Sequence, residues 1–189
     1  MPSVYIIGGP NGAGKTTLAQ TLLPEYLRVA DFVNADQIAG GLSAYDPESV
    51  AIEAGRAMLR RIHELADGGR DFAFETTLAS RFFIGFLGQL RKRGYLVTLI
   101  YVWLESVNLA MRRVQYRVQL GGHDVPRNVV ARRYERGLKL LRTEYVPLAD
   151  AWYIFDNSGT MPVLVAEQQE GSDKVVYAEA VWKKLWEQS

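Results

Sequence analysis

The run Gly9-Pro10-Asn11-Gly12-Ala13-Gly14-Lys15-Thr16 constrains the fold of this chain more than any other stretch. The spacing G-x-x-x-x-G-K-T puts glycine where the backbone must take positive φ, so that successive N–H groups converge, with a lysine and a hydroxyl directly behind them. Such a concavity suits a phosphate chain: Lys15 reaches the β- and γ-phosphates and the Thr16 hydroxyl reaches Mg²⁺. The flanks supply the architecture this loop needs. Val4, Tyr5, Ile6 and Ile7 form a β-rich run before it, and Thr17, Leu18, Ala19, Leu22 and Leu23 follow at helical spacing. Strand, loop and helix in that order predict binding of a nucleoside triphosphate at residues 9–16.

At 189 residues the chain is long enough for one α/β domain over 1–189 with a sizeable core. An apolar fraction of 48% and a charged fraction of 23% exclude disordered and fibrous classes. The absence of cysteine removes disulfides, thiolate metal sites and thiol nucleophiles, and two histidines far apart give no zinc pattern. The first strand starts at once, without a basic or long apolar leader, which predicts a cytoplasmic location. The longest apolar run, 95–104, is half of the roughly 20 residues a spanning helix requires, so no membrane association is expected. A net charge of +1 argues against nucleic acid as a partner. Charge is nonetheless uneven, because residues 105–145 carry nine lysines and arginines against four acids.

Along the chain, strands are expected over 28–34, 71–77, 95–104 and 151–155. Helices are expected from an Asp46 cap with Pro47 at the first turn, after Ser80, from Ser106 to the Gly121-Gly122 corner, and from Pro126. A hairpin over 163–168 and 174–177 precedes a tail helix, together forming a carboxyl-terminal unit over 160–189. The alternation predicts a doubly wound, mostly parallel sheet of the phosphate-loop hydrolase and kinase type, with a basic helical lid over 105–145 and a carboxyl-terminal β-hairpin. The tryptophans at 103, 152, 182 and 186 fall in apolar runs and read as core.

Ligands in such sheets lie beyond the carboxyl ends of the strands. That rule gathers the phosphate loop, Asn34-Ala35-Asp36, Glu75-Thr76-Thr77 and Asp156-Asn157-Ser158 around one crevice. Asp36 is the candidate base or metal-linked carboxylate, with a helix N-cap as its structural alternative. Glu75 is placed to act on Mg²⁺, directly or through water. Arginines from the lid would neutralise charge on the transferring phosphoryl group, the candidates being Arg117, Arg127, Arg132, Arg133 and Arg136. His63 reads as a surface or packing residue, and His123, beside Asp124, as ordering its loop.

These motifs together resemble the zeta-toxin family of phosphate-loop kinases, particularly its short members. The similarity rests on residues 9–17, 34–36, Phe74-Glu75-Thr76-Thr77, Arg117 through Pro126, Arg132-Arg133-Tyr134 and Asp156 through Gly159. It implies ATP or GTP as donor, Mg²⁺, and a small-molecule hydroxyl as acceptor, in better-understood members a UDP-N-acetylhexosamine. It further implies Asp36 as base, Glu75 and Thr77 on the acceptor, Arg117 as the first catalytic lid arginine, and Arg127 or the Arg132/Arg133 pair as the second. Asn157 would lie near the nucleotide base. An antitoxin partner belongs to the resemblance, although nothing in this chain itself indicates one. Two other readings stay open at this stage: a polynucleotide kinase, and a nucleotide-dependent switch that hydrolyses ATP without a small-molecule acceptor.

Overall fold

A computed structural model describes residues 1–122 and 124–187; His123 lies outside the described residues. Among the described residues seven strands form one sheet in the order β2-β3-β1-β4-β5-β6-β7. They are β1 (Ser3–Gly8), β2 (Phe32–Val33), β3 (Phe72–Thr76), β4 (Leu96–Trp103), β5 (Ala151–Asp156), β6 (Val163–Gln168) and β7 (Val175–Val176). The first five pair in parallel, and β6 and β7 run antiparallel as the expected hairpin. Among the described residues the α-helices are α1 (Lys15–Leu22), α2 (Ala35–Leu42), α3 (Ala51–Asp67), α4 (Phe82–Lys92), α5 (Val107–Gln119), α6 (Arg127–Leu140), α7 (Val146–Leu148) and α8 (Glu179–Glu187).

Alternation along the strands divides the core into two layers. Phe72, Phe74, Leu99 and Tyr101 face one side, where they join Met58, Ile62, Leu87 and Leu90 of α3 and α4. Ile7, Ala73 and Ile100 face the other, beneath Ala19 and Leu23. Ala73 and Ala19 are both small and fully buried in that layer. Helix α1 starts directly beyond the carboxyl end of β1, which holds the phosphate loop at the rim. Strand β4 is covered on both faces, which explains its nearly unbroken apolar sequence.

Two elements differ from the sequence reading. The second strand is confined to Phe32–Val33, and before it α1 winds on as a wider π turn over Leu23–Leu27 that Arg28, at φ 54°, ends in the left-handed region rather than in an extended one. Helix α3 starts at Ala51 rather than at Pro47. Asp46 instead closes a turn, accepting from the Ser49 amide at 3.3 Å while the Ser49 hydroxyl donates to the Asp46 carbonyl at 2.8 Å. Short hydroxyl side chains compete with helix formation in this way. By contrast Ser106 caps α5 as expected, accepting from the Leu109 amide at 3.2 Å. Trp152, Trp182 and Trp186 stack in sequence, with ring centroids 5.7 and 4.0 Å apart, and fix α8 against β5.

Candidate phosphate and acceptor site

The loop between β1 and α1 closes on itself through the Ala13 amide and Pro10 carbonyl at 3.2 Å. Gly14 begins α1 in the left-handed region, at φ 82° and ψ 24°. A Cβ there would stand 2.7 Å from Nδ2 of Asn157, so position 14 needs glycine for both conformation and space. That same Nδ2 donates to the Ala13 carbonyl at 2.8 Å, and the Asn157 amide donates to Trp103 at 3.0 Å. Asn157 thus ties the loop to the ends of β4 and β5. Beside it, Arg113 of α5 donates to the carbonyls of Ser158 and Gly159 at 3.3 and 3.2 Å.

Lys15 is buried, with its Nζ donating to the Pro10 carbonyl at 3.0 Å and lying 3.5 Å from Oε1 of Glu75. Burial pulls its pKa below the ordinary lysine value, and the nearby charges of Glu75 and Asp36 oppose that shift. The other Glu75 oxygen accepts from the Thr16 hydroxyl at 2.6 Å and from Nδ2 of Asn34 at 2.7 Å. Glu75 therefore stands against the phosphate loop. The carbonyl oxygen of the Asn34 side chain accepts from the amides of Asp36 and Gln37 at 2.8 and 3.3 Å. The cap of α2 is consequently Asn34, not Asp36. Sequence reasoning placed Asn34 at the crevice but gave it no role, although a cap-forming residue at the end of a strand was the available signal.

Freed from capping, Asp36 is exposed on the first turn of α2, and its Oδ2 lies 4.0 Å from Nη1 of Arg117 near the end of α5. Arg133 of α6 donates from Nη1 to Oδ1 of Asn11 in the loop, at 3.4 Å. Burial depresses the Arg133 pKa, while the nearby Asp36 charge opposes the shift. With Arg132, Arg136, Thr77, Ala79 and Ser80, Arg133 lines a cavity of about 330 Å³. Gly137 makes this closeness possible, because a Cβ there would meet the Thr77 carbonyl at 2.6 Å. Arg127 is placed elsewhere, around a small pocket between α5 and α6 with Val114, Val118 and Val130. Thr17 is exposed on α1.

One hydroxyl and one carboxylate beside the loop fit Mg²⁺, which keeps several waters and takes its remaining ligands from substrate phosphates. Among the described residues there is no group of three or more histidines, cysteines and carboxylates able to hold a metal by themselves. No helix among them is long and apolar enough to cross a membrane.

A mostly parallel sheet with this loop at its rim and carboxylates at the ends of neighbouring strands is the architecture of the phosphate-loop kinases. The zeta-toxin family model matches residues 1–169, and the chain belongs to that family. Membership supports a nucleotide-dependent kinase function. Among solved structures, the AvrRxo1-ORF1:-ORF2 complex with ATP superposes at a TM-score of 0.75 with 19% identity, covering 98% of this chain and 63% of that chain. This chain thus spans under two thirds of that protein's length. The PezAT toxin-antitoxin system of Streptococcus pneumoniae gives a TM-score of 0.66 at 17% identity, covering 100% of this chain and 80% of that one. An uncharacterized protein of Haemophilus influenzae is 28% identical over 126 residues, 67% of this chain and 88% of its own length.

Proposed function

We propose that this protein transfers the γ-phosphate of ATP, or of GTP, to a hydroxyl of a small molecule, for which the family resemblance suggests a UDP-N-acetylhexosamine. The observation that carries this reading is the separation of the two carboxylates. Glu75 is engaged with Thr16, Asn34 and Lys15, whereas Asp36 is exposed in the crevice opposite Arg117. Two carboxylates in different surroundings suit two tasks, and Asp36 is the one available to an acceptor hydroxyl.

In this reading the loop amides and Lys15 hold the β- and γ-phosphates, and Thr16 and Glu75 would hold Mg²⁺. When bound, the ion neutralises charge on the donor phosphates. Asp36 orients the acceptor hydroxyl and takes its proton as the oxygen attacks phosphorus, while the bond to the β-phosphate oxygen breaks. Arg117 and Arg133 meet the transferring group from the lid side and exclude water. Contact with the loop favours Arg133 over Arg127 as the second arginine. Thr77, Arg132 and Arg133 line the acceptor cavity, whose cationic wall suits an acceptor that carries its own phosphate or carboxylate. Asn157 fixes the loop on the nucleotide side. The likeness to a toxin-antitoxin system supports an inhibitory protein partner as a further part of this reading.

The test is incubation of the protein with ATP, Mg²⁺ and fractionated metabolite pools, followed by mass spectrometry. A product heavier by one phosphoryl group, absent with Asp36→Asn, is expected. Hydrolysis of ATP with no phosphorylated acceptor in any pool would point to a switch instead.

A further inference from the structure

A larger cavity, of about 850 Å³, lies between α6 and the junction of β4 with α5. Its walls mix apolar surface from Val107 and Leu138 with the cationic side chains Arg132, Arg136, Lys139 and Arg142. Two acids, Glu105 and Glu135, also reach it, but Glu105 is matched by Lys184 at 3.8 Å. Arg142 is anchored by the carbonyls of Leu138 and Trp186 at 3.1 and 2.9 Å, so it braces the wall. Arg132, Arg136 and Lys139 are exposed at the rim. The amino-terminal end of α5 opens onto the same space and adds a field of the same sign.

We propose that this groove is a second ligand site, distinct from the phosphate loop, for a soluble organic anion with an apolar body. The body would lie on Val107 and Leu138, with its carboxylate, sulfonate or phosphate met by Lys139 and Arg136. The volume falls within the usual range for small-molecule sites, about 300–1,000 Å³. An inorganic anion would leave the apolar floor uncovered, and a neutral hydrocarbon would leave the cationic rim unmatched. Arg132 and Arg136 also line the cavity beside Thr77, so a ligand here draws on side chains shared with the acceptor cavity. That link rests on the proposed function; occupancy of the groove does not.

The probe is 8-anilinonaphthalene-1-sulfonate, titrated by fluorescence onto the full chain with excess Mg-ATP present. Saturable binding is expected. It should weaken at least about tenfold in Lys139→Glu, which reverses a rim charge, and in Val107→Trp, which fills the floor, and should stay unchanged in Lys15→Ala. Circular dichroism checks that each variant is folded. Competition by 1-naphthoate or by decanoate supports the site and tells an aromatic body from an acyl one. Equal binding by wild type and both groove variants overturns the proposal. So does loss of the probe with Mg-ATP or Lys15→Ala, or displacement by inorganic phosphate as readily as by the organic acids. None of these readouts uses phosphoryl transfer, so the site can fail while the kinase reading stands, and the reverse.

Discussion

The Thr16 hydroxyl donates a hydrogen bond to Glu75 over 2.6 Å, across 59 positions of sequence. The donation fixes the hydroxyl rotor and leaves the oxygen's two acceptor positions, one of them directed at Nδ2 of Asn34 at 3.4 Å and the other available to a cation. Thr16→Val keeps the shape of the side chain and removes that oxygen. Transfer should fall by about a hundredfold or more. Nucleotide affinity should drop with Mg²⁺ present and change little in EDTA. An equal drop in both conditions would mean that Thr16 serves folding rather than the metal.

Asp36 has no capping duty, because Asn34 performs it. Asp36→Asn should therefore leave thermal stability and ATP binding near wild type while lowering transfer by about 10²- to 10⁴-fold. Asn34→Ala is the contrasting variant. It should lower the melting temperature, through a lost cap worth about 0.5–2 kcal/mol, and disturb Glu75 as well. If Asp36→Asn melts as early as Asn34→Ala, the division of labour is wrong.

Of the competing lid arginines, Arg133 touches the loop at Asn11 and Arg127 lines a separate pocket. Arg133→Ala should reduce transfer by about a thousandfold, within the range for an arginine acting on a phosphoryl group. Arg127→Ala should stay within about tenfold of wild type. Steady-state rates at saturating ATP decide between them, and a reversed order would move the assignment back to Arg127.

Gly14→Ala brings two penalties: a left-handed φ, of the order of 1–2 kcal/mol for a residue with a Cβ, and the 2.7 Å approach to Asn157. In an Asn157→Ala background the second should vanish and the first remain. A thermodynamic cycle on melting free energies should thus show partial rescue. Complete additivity of the two substitutions would show that the close approach carries no energy.

Tyr134 donates to the Leu104 carbonyl at 2.6 Å and is pushed up to about 12, chiefly by burial. A phenol whose folded pKa exceeds its unfolded value of 10 lends stability that is complete below pH 10 and fades as pH rises towards 12. The stability difference between wild type and Tyr134→Phe should shrink over that window, by a few kcal/mol at most. Chemical denaturation at pH 9, 10.5 and 12 measures it, and a constant difference would assign the ionisation elsewhere.

Much of the fold was legible locally. The apolar run of β4, the Ser106 cap and the tail hairpin each carry their own signal in residues a few positions apart. Where neighbouring chemistry competed, the local reading slipped: a turn closed by Asp46 and Ser49 precedes α3, and the left-handed Arg28 that ends the π turn occupies the first position expected of the second strand. The crevice was foreseeable because strand ends in such a sheet must converge. The partners within it were not.

By itself the sequence determined the phosphate loop, since positive φ at glycine and a helix start beyond it are properties of contiguous residues. It also determined that carboxylates and arginines would end near that loop. Only the tertiary structure decided which ones meet. Arg133 reaches Asn11 across 122 positions because Gly137 lets α6 pack against the Thr77 carbonyl. Glu75 turns to Thr16, Asn34 and Lys15 because register places the end of β3 beside β1. Those choices depend on distances between elements, which packing sets and no local pattern encodes.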